Sequence, residues 1–200
     1  SPAATYSNTA DDVTRNRIFA FDATTGAIDP SFNPNLGGAA NSLATDGTSI
    51  WVGGTFGSVG GNTAIKRVVK LSATGAVVSG FRSVPNSGVN EVVYQSGRVY
   101  IGGSFTSVVS GGVTSTRRAL AALDPTTGAT LASVNVPFTG VYDPNNNGGG
   151  TTNVKRFDVS PDGSRLAAIG NFATVGGLPR VQLAVLDTSG PAASVASWAT

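Results

Sequence analysis

The stretch NEVVYQSGRVYIGGSF, residues 90–105, decides the fold. It holds two short apolar runs separated by Ser96-Gly97, and glycine accepts the positive φ that a two-residue hairpin turn requires. Neither run is long enough for a helix, and no sustained 3.6-residue period is present. Residues 90–105 therefore predict a β-hairpin followed by Gly-Gly-Ser-Phe.

The same order of features occurs on both sides of this stretch. Phe56 and Phe105 close the motif 49 residues apart, whereas Phe172 follows 67 residues later because an insertion at about 139–152 precedes it. A fixed period of this length indicates a repeated supersecondary unit. The matching segments are NSLATDG (41–47) with IWVGGTF (50–56), VKRFDVSPDG (154–163) with LAAIGNF (166–172), and, for the later features, RIFAFDATTG (17–26).

Each unit continues with a third apolar run and a second turn, such as Pro-Thr-Thr-Gly at 125–128. Four antiparallel strands every 50 residues or so are typical of a β-propeller blade. We therefore expect an all-β chain: a partial β-propeller of about three and a half four-stranded antiparallel blades. The expected divisions of this single domain are the end of a blade (1–36), a blade (37–86), a blade (87–138), an inserted loop (139–152) and a blade (153–200).

At these residues the chain resembles bacterial secreted β-propellers of the kelch-like and quinoprotein-like kind, whose repeats look like VYVGGxF…RxxLAALDxxTGxxxxW. The resemblance covers the whole chain and implies an architecture but no activity, because such propellers host unrelated functions. The aromatic residue that closes each unit departs from the pattern, since it is Phe32, Phe81 or Trp198. Three and a half blades leave strand edges unpaired. We therefore expect a fragment that begins inside a strand, with the remaining blades as partners.

Composition points to an extracellular setting. Charged residues make up 12% of the chain, about half the usual share of roughly 25%. Few charges with much Thr, Ser, Asn and Gly favour a bacterial secreted or cell-surface protein. No apolar run is long enough for a membrane span. The basic residues stand singly or in pairs, so nucleic acid is not an expected partner.

The inventory of catalytic side chains is short. His and Cys are absent and Glu91 is the only glutamate, so general bases and thiol nucleophiles lose their commonest carriers. Asp187-Thr188-Ser189-Gly190 matches an aspartic-protease signature, but such an enzyme needs two aspartates that share a proton. Asp187 aligns with Asp22 and Asp124, which predicts an Asp-capped turn in each unit. We therefore expect that the chain is not an enzyme.

Two further sets of residues recur between the units. The glycines at 53–54, 102–103 and 170 are not followed by a helix that could bind phosphate. They predict close packing between sheets or a β-bulge. A column of arginines, one for each unit, is expected to pair with backbone carbonyls or neighbouring carboxylates, with an acidic ligand as the alternative. Its members are Arg17, Arg67, Arg118 and Arg180.

The strand order of a propeller predicts where a ligand binds. The B–C loops (57–65, 106–116 and 173–179) and the 139–152 insertion emerge at one face, opposite the tight turns. Long loops on a rigid scaffold commonly carry binding residues. We expect no cofactor, although the oxygen-rich segment 143–150 leaves Ca²⁺ as an alternative. The candidate ligand-binding residues are Tyr142, Asp143, Asn145, Asn146, Asn147, Arg117 and Arg118.

These observations lead to three functional hypotheses. The first is a non-enzymatic extracellular recognition or scaffold module that binds protein or carbohydrate through the loop-rich face. The second is a structural domain of a bacterial surface fibre or assembly. The third is the non-catalytic part of a propeller enzyme.

Overall fold

A computed structural model of the chain describes residues 15–144 and 149–197. This part of the chain contains no helix and folds into antiparallel sheets of three or four strands. The predicted all-β class is therefore confirmed. The residues of the sequence analysis that lie outside the described part are Asn145, Asn146, Asn147 and Trp198.

The described residues form sixteen strands, most of them short. In chain order they are β1 (Ala40–Thr45), β2 (Ser49–Gly54), β3 (Val68–Ser72), β4 (Ser83–Pro85), β5 (Val89–Gln95), β6 (Arg98–Gly103), β7 (Ser107–Ser110), β8 (Val113–Thr116), β9 (Leu120–Leu123), β10 (Phe138–Thr139), β11 (Asn153–Val159), β12 (Arg165–Asn171), β13 (Thr174–Val175), β14 (Leu178–Pro179), β15 (Leu183–Asp187) and β16 (Ser194–Val195).

Three main sheets follow one another along the chain. Their strand orders are β1-β2-β3 for the first sheet, β5-β6-β9 for the second and β11-β12-β15-β16 for the third. In the first two, the place of a fourth strand is taken by a single antiparallel bridge, Leu71 to Val77 and Leu123 to Thr130. The prediction of four full strands in every unit is thus met in the third sheet of the described chain but not in the first two.

The stretches that were expected to be open B–C loops fold into hairpins instead, so that expectation is wrong. Residues 106–116 supply β7 and β8, which form a small sheet with β4. Residues 173–179 supply β13 and β14, which pair with β10 in the same way. Both hairpins turn on two glycines with positive φ, Gly111-Gly112 and Gly176-Gly177. In the stretch 57–65, a bridge between Val59 and Asn62 closes a shorter version around Gly60-Gly61.

The β7–β8 hairpin lies along the flank of the second sheet. The Ser110 hydroxyl donates a hydrogen bond of 2.8 Å to the carbonyl oxygen of Gly128, and the Thr130 hydroxyl donates one of 2.8 Å to Ser115. Gly128 belongs to a turn at the opposite end of the sheet from the start of β7. The β7–β8 hairpin therefore covers the side of the second sheet and does not project from the predicted binding face.

A β-bulge interrupts the first strand pair of each main sheet. The pairing shifts between Ala40 and Ser42 in the first sheet, and equivalent shifts occur in the second and third sheets. A glycine lies opposite each bulge: Gly54, Gly103 and Gly170. A Cβ atom on any of these glycines would lie 2.1 Å from a backbone carbonyl oxygen. Glycine is required there because the bulged strand passes too close for a side chain.

The neighbouring glycines allow consecutive sheets to pack against each other. A Cβ on Gly53 would lie 2.4 Å from Val92 in the second sheet, and a Cβ on Gly102 would lie 2.9 Å from Phe157 in the third. The bulge residues add polar contacts across the same boundaries. Asn41 Nδ2 donates to the carbonyl of Val89 at 2.8 Å, and Asn90 Nδ2 donates to that of Val154 at 2.9 Å. The glycines thus serve both predicted purposes.

Large aromatic side chains fill the spaces between the sheets. Trp51 of the first sheet is fully buried and stacks on Tyr94 of the second, with ring centroids 5.0 Å apart and planes 4° from parallel. The motif phenylalanines Phe56, Phe105 and Phe172 are also buried. Burial of apolar surface of this kind is the main favourable term in folding.

The Asp-capped turns form as predicted. Asp22 Oδ1 accepts hydrogen bonds from the backbone N–H groups of Thr24 and Thr25, and Asp124 does the same with Thr126 and Thr127. Asp187 accepts from Ser189 N–H at 3.0 Å. Hydrogen bonds to the ionised form lower the pKa of all three carboxyls. The protease-like motif is therefore a turn.

Asp162 provides a pH-dependent prediction. Hydrogen bonds from the Ser160 hydroxyl and from the N–H and hydroxyl of Ser164 lower its pKa from 3.8 to about 2. Because the folded-state pKa is depressed, the carboxylate stabilises the fold above about pH 4 and loses this effect as the pH falls towards about 2. The stability gap between the wild type and Asp162→Asn should therefore close over that range in urea unfolding. A gap of equal size at pH 7 and pH 2 would contradict this assignment.

Candidate functional site

The candidate site lies at the end of the sheets where β5 and β11 begin and β6 ends. We call it the loop-rich end, and the end that carries the Asp-capped turns the turn end. Two clefts open at the loop-rich end. The first cleft, of about 330 Å³, lies between the end of β6 and the 139–152 insertion. The second cleft, of about 580 Å³, lies over the starts of β1, β5 and β11.

The two clefts adjoin, because Ser104 lines both. The first cleft combines hydroxyl groups, a guanidinium and the edges of two buried rings. Its lining is Ser104, Phe105, Thr106, Arg118, Ala119, Phe138, Thr139, Gly140, Val141, Gly150, Thr151 and Thr152. The second cleft is almost entirely polar. It is lined by Ala40, Asn41, Asn90, Ser104, Asn153, Lys155 and Arg156.

Local hydrogen bonds hold the base of the insertion against the third sheet. The backbone N–H of Tyr142 donates to Asn171 Oδ1 at 3.0 Å, and the Thr152 hydroxyl donates to the Gly140 carbonyl at 2.5 Å. Tyr142 follows Val141, which lines the first cleft, and the relative solvent exposure of Tyr142 is 42%. The structure therefore places Tyr142 next to a lining residue of the first cleft, although Tyr142 itself lines neither cleft.

The structure separates the two neighbouring arginines that were predicted to bind a ligand. Arg117 is only 8% exposed, and its guanidinium donates to the carbonyls of Thr116 and Leu131. Burial lowers the pKa of the Arg117 guanidinium. Arg118 is exposed and lines the first cleft. The geometry thus gives Arg117 a structural role and leaves Arg118 in the candidate site.

The predicted arginine column keeps its register from Arg17 to Arg67, which both have positive φ, but loses it in the later units. The backbone N–H of Gly54 donates a hydrogen bond to the carbonyl oxygen of Arg67, and that of Gly103 donates to the carbonyl oxygen of Ala119. The residue equivalent to Arg67 is therefore Ala119 and not Arg118. This position has positive φ in each case: 67° at Arg67, 65° at Ala119 and 64° at Gln182. An alignment by residue type could not detect it, because the shared feature is a backbone angle.

A different row of arginines is equivalent in the structure. Arg15, Arg117 and Arg180 each donate through Nη2 to a backbone carbonyl, at Asp29, Leu131 and Ala196 respectively. Each of these carbonyls belongs to the residue that follows the last paired position of its unit. Those paired positions are Ile28, Thr130 and Val195. In the predicted column, Arg67 and Arg180 do pair with backbone carbonyls, at Pro85 and Ala196. Within the described residues, the side chains of Arg17 and Arg118 make no such bond.

The oxygen-rich segment 143–150 is only partly described. Asp143 lies beside the first cleft and is partly buried. Within residues 15–144 and 149–197, no three carboxylate, imidazole or thiolate side chains are grouped as metal ligands. The calcium alternative stays a prediction. In the same residues no helix has the length and apolar character needed to cross a membrane.

Comparison with known proteins finds solved structures of similar fold. The hydrazine synthase of Kuenenia stuttgartiensis superposes with a TM-score of 0.53 over 89% of this chain, at 14% sequence identity. The match spans 42% of that chain. At this level of identity the likeness concerns the fold alone. No protein-family model and no curated protein matches the chain.

Proposed function

We propose that this chain is a run of β-propeller blades that serves as a non-enzymatic recognition module of a bacterial secreted or surface protein. It binds a protein or carbohydrate at the loop-rich end. The recurring bulges, glycine contacts and outer bridges support the propeller assignment, because they give successive sheets the same packing relation. The likeness to part of hydrazine synthase agrees with an all-β architecture of this kind.

The observation that carries the functional proposal is the pair of adjoining clefts that share Ser104. Sheet ends line both clefts, and residues 139–141 and 150–152 of the insertion form the other wall of the first cleft. Concave sites with a few well-placed polar groups on a rigid scaffold are the usual form of a ligand site. A second candidate function is the non-catalytic part of a larger enzyme, which the partial match to hydrazine synthase favours.

Deletion of residues 141–150 tests the recognition proposal. The Thr152 hydroxyl contacts the Gly140 carbonyl at 2.5 Å, so a short link can join the cut ends without disturbing the third sheet. We expect the deletion variant to keep its thermal unfolding midpoint within a few degrees and to lose at least about tenfold in affinity, or about 1.4 kcal/mol. The measurement is a pull-down from bacterial cell-wall glycans and surface proteins, followed by titration of the captured ligand.

A narrower test is Tyr142→Ala, which removes only the exposed ring that follows Val141 of the first cleft. An intermediate loss of affinity is expected for this variant. Binding that is unchanged in the deletion variant would rule out the loop-rich end as the binding site. It would leave the fold assignment intact.

A further inference from the structure

Acidic side chains concentrate at the turn end. Five of them cap tight turns, and each accepts backbone hydrogen bonds from the residues that follow. Their charges therefore stay fixed at that end of the sheets. These residues are Asp22, Asp46, Asp124, Asp162 and Asp187.

Basic side chains concentrate at the other end. Three of the described acidic residues, Asp29, Glu91 and Asp143, lie towards the loop-rich end, and Glu91 is engaged by Arg156 at 3.2 Å. The cations outnumber these acids, so an anion is attracted to the loop-rich end and repelled from the turn end. The described basic residues there are Arg15, Arg17, Lys66, Arg67, Arg117, Arg118, Lys155, Arg156 and Arg180.

Five of these nine cations already have partners within the protein, namely Arg15, Arg67, Arg117, Arg156 and Arg180. Arg67 Nη1 donates to the Pro85 carbonyl, and Arg156 donates to the Asn90 carbonyl besides its ion pair with Glu91. In the part of the chain that the structure describes, the Arg118 guanidinium and the Lys155 ammonium make no hydrogen bond and no ion pair. Both are exposed. They are available for a ligand.

The side chains of Arg17 and Lys66 likewise make no hydrogen bond or ion pair within the described residues. Of these four unpartnered cations, Arg118 and Lys155 are the ones that line the two adjoining clefts. Arg118 lines the first cleft and Lys155 the second, with Ser104 between them. Lys155 occupies the bulge position that Asn41 and Asn90 fill in the other sheets, where the side chain bridges to the next sheet. At this bulge the side chain is instead a free cation at the cleft.

We propose that the joined clefts bind a linear anionic polysaccharide, with Arg118 and Lys155 each contacting an acidic group of the sugar chain. This inference rests on the proposed recognition function and specifies its ligand. The hydroxyls of Ser104, Thr106 and Thr151 and the amide oxygens of Asn41 and Asn90 provide partners for sugar hydroxyls. Protein interfaces centre on apolar and aromatic anchors, whereas the second cleft is lined almost wholly by polar side chains.

The test compares two double variants that remove the same charge. Arg118→Gln with Lys155→Gln removes both available cations from the clefts. Arg82→Gln with Arg98→Gln is the matched control, because neither cleft contains Arg82 or Arg98. Titrations use polygalacturonate as the carboxylated probe, heparin as the sulfated probe, dextran as the neutral probe and a DNA duplex.

We expect the wild type to bind at least one of the two anionic polysaccharides, and the stronger of them identifies the acidic group. The cleft variant should lose about tenfold or more in affinity, whereas the control should stay within about twofold. Raising the salt from about 0.05 M to about 0.5 M should weaken wild-type binding, because screening shortens the reach of the charges.

Several results would overturn the inference. They are no binding of either anionic polysaccharide, equal losses in the two double variants, and tighter binding of DNA than of the polysaccharides. If dextran binds and the 141–150 deletion abolishes that binding, the recognition proposal stands and the anionic ligand alone is refuted. If polysaccharide binding survives the deletion and both double variants unchanged, both proposals fail.

Discussion

Replacing Gly103 with alanine should lower the free energy of unfolding by about 3 kcal/mol. Gly103 faces the bulge of β5, and a Cβ atom there would lie 2.1 Å from the carbonyl oxygen of Gly88 and 3.0 Å from Val89 Cα. The obstructing atoms are backbone, so no side chain can rotate away to relieve the clash. Relief requires β5 to move from β6, which also disturbs the contact between β5 and the first sheet.

The control for this change is Gly57→Ala. Gly57 is exposed and has no atom within 4 Å of the position that a Cβ would take. Its replacement should change stability by no more than about 0.5 kcal/mol. Urea unfolding followed by tryptophan fluorescence measures both variants. Equal stability of Gly103→Ala and Gly57→Ala would show that the bulge does not have the geometry described.

Truncation of Trp51 to alanine should cost about 3–5 kcal/mol. The indole is fully buried between the first and second sheets, stacks on Tyr94 and has the Lys70 ammonium 4.8 Å from its ring centroid. Stacked aromatic pairs and a cation over a ring add to the loss of buried area. Leu43→Ala on the neighbouring strand β1 provides the control, since Leu43 is 56% exposed.

Circular dichroism during thermal unfolding measures this second prediction without relying on tryptophan emission. We expect Leu43→Ala to unfold close to the wild-type temperature and Trp51→Ala to unfold well below it. Similar temperatures for the two variants would mean that the first and second sheets do not share a packed boundary.

Local turn chemistry made part of this fold predictable from the sequence. Asp46-Gly47, Ser96-Gly97 and Asp162-Gly163 each connect the first two strands of a main sheet, with positive φ at every glycine. Such turns depend on a few adjacent residues, so sequence alone specifies them. The close-packing glycines were predictable for a related reason: a recurrent residue without a side chain indicates a close approach of another chain segment.

The hairpins at Gly111-Gly112 and Gly176-Gly177 were missed although their signal is present in the sequence. Two consecutive glycines between short β-branched runs favour a type I′ turn. The stretches were interpreted as loops because a four-stranded blade leaves them as connections between its second and third strands. They pair with β4 and β10, and those partners lie far away in the sequence. Long-range pairing of short strands is set by tertiary packing, which no local pattern encodes.

The candidate site was predicted only in part. The loop-rich end and Arg118 were expected from the strand order, and the structure places Arg118 in the first cleft. Lys155 was missed, because it stands out only by comparison with the other two sheets, where the same bulge position holds an asparagine that bonds to the next sheet. The third sheet also has Ile169, which is 49% exposed, where the second sheet has the close-packing Gly102. Such differences between the sheets can be recognised only when their sequences are aligned by the positions of the bulges.

A double-mutant cycle between Gly53 and Val92 tests most directly whether consecutive sheets stack through glycine contacts. A Cβ on Gly53 would lie 2.4 Å from Val92 Cγ2, and the two residues belong to different sheets. Gly53→Ala should destabilise strongly alone and less when Val92→Ala removes the nearest obstructing methyl group; Val89 Cγ1, at 2.7 Å, remains. We predict a favourable coupling of at least about 1 kcal/mol. Strictly additive effects of the two substitutions would contradict the stacked arrangement of the sheets.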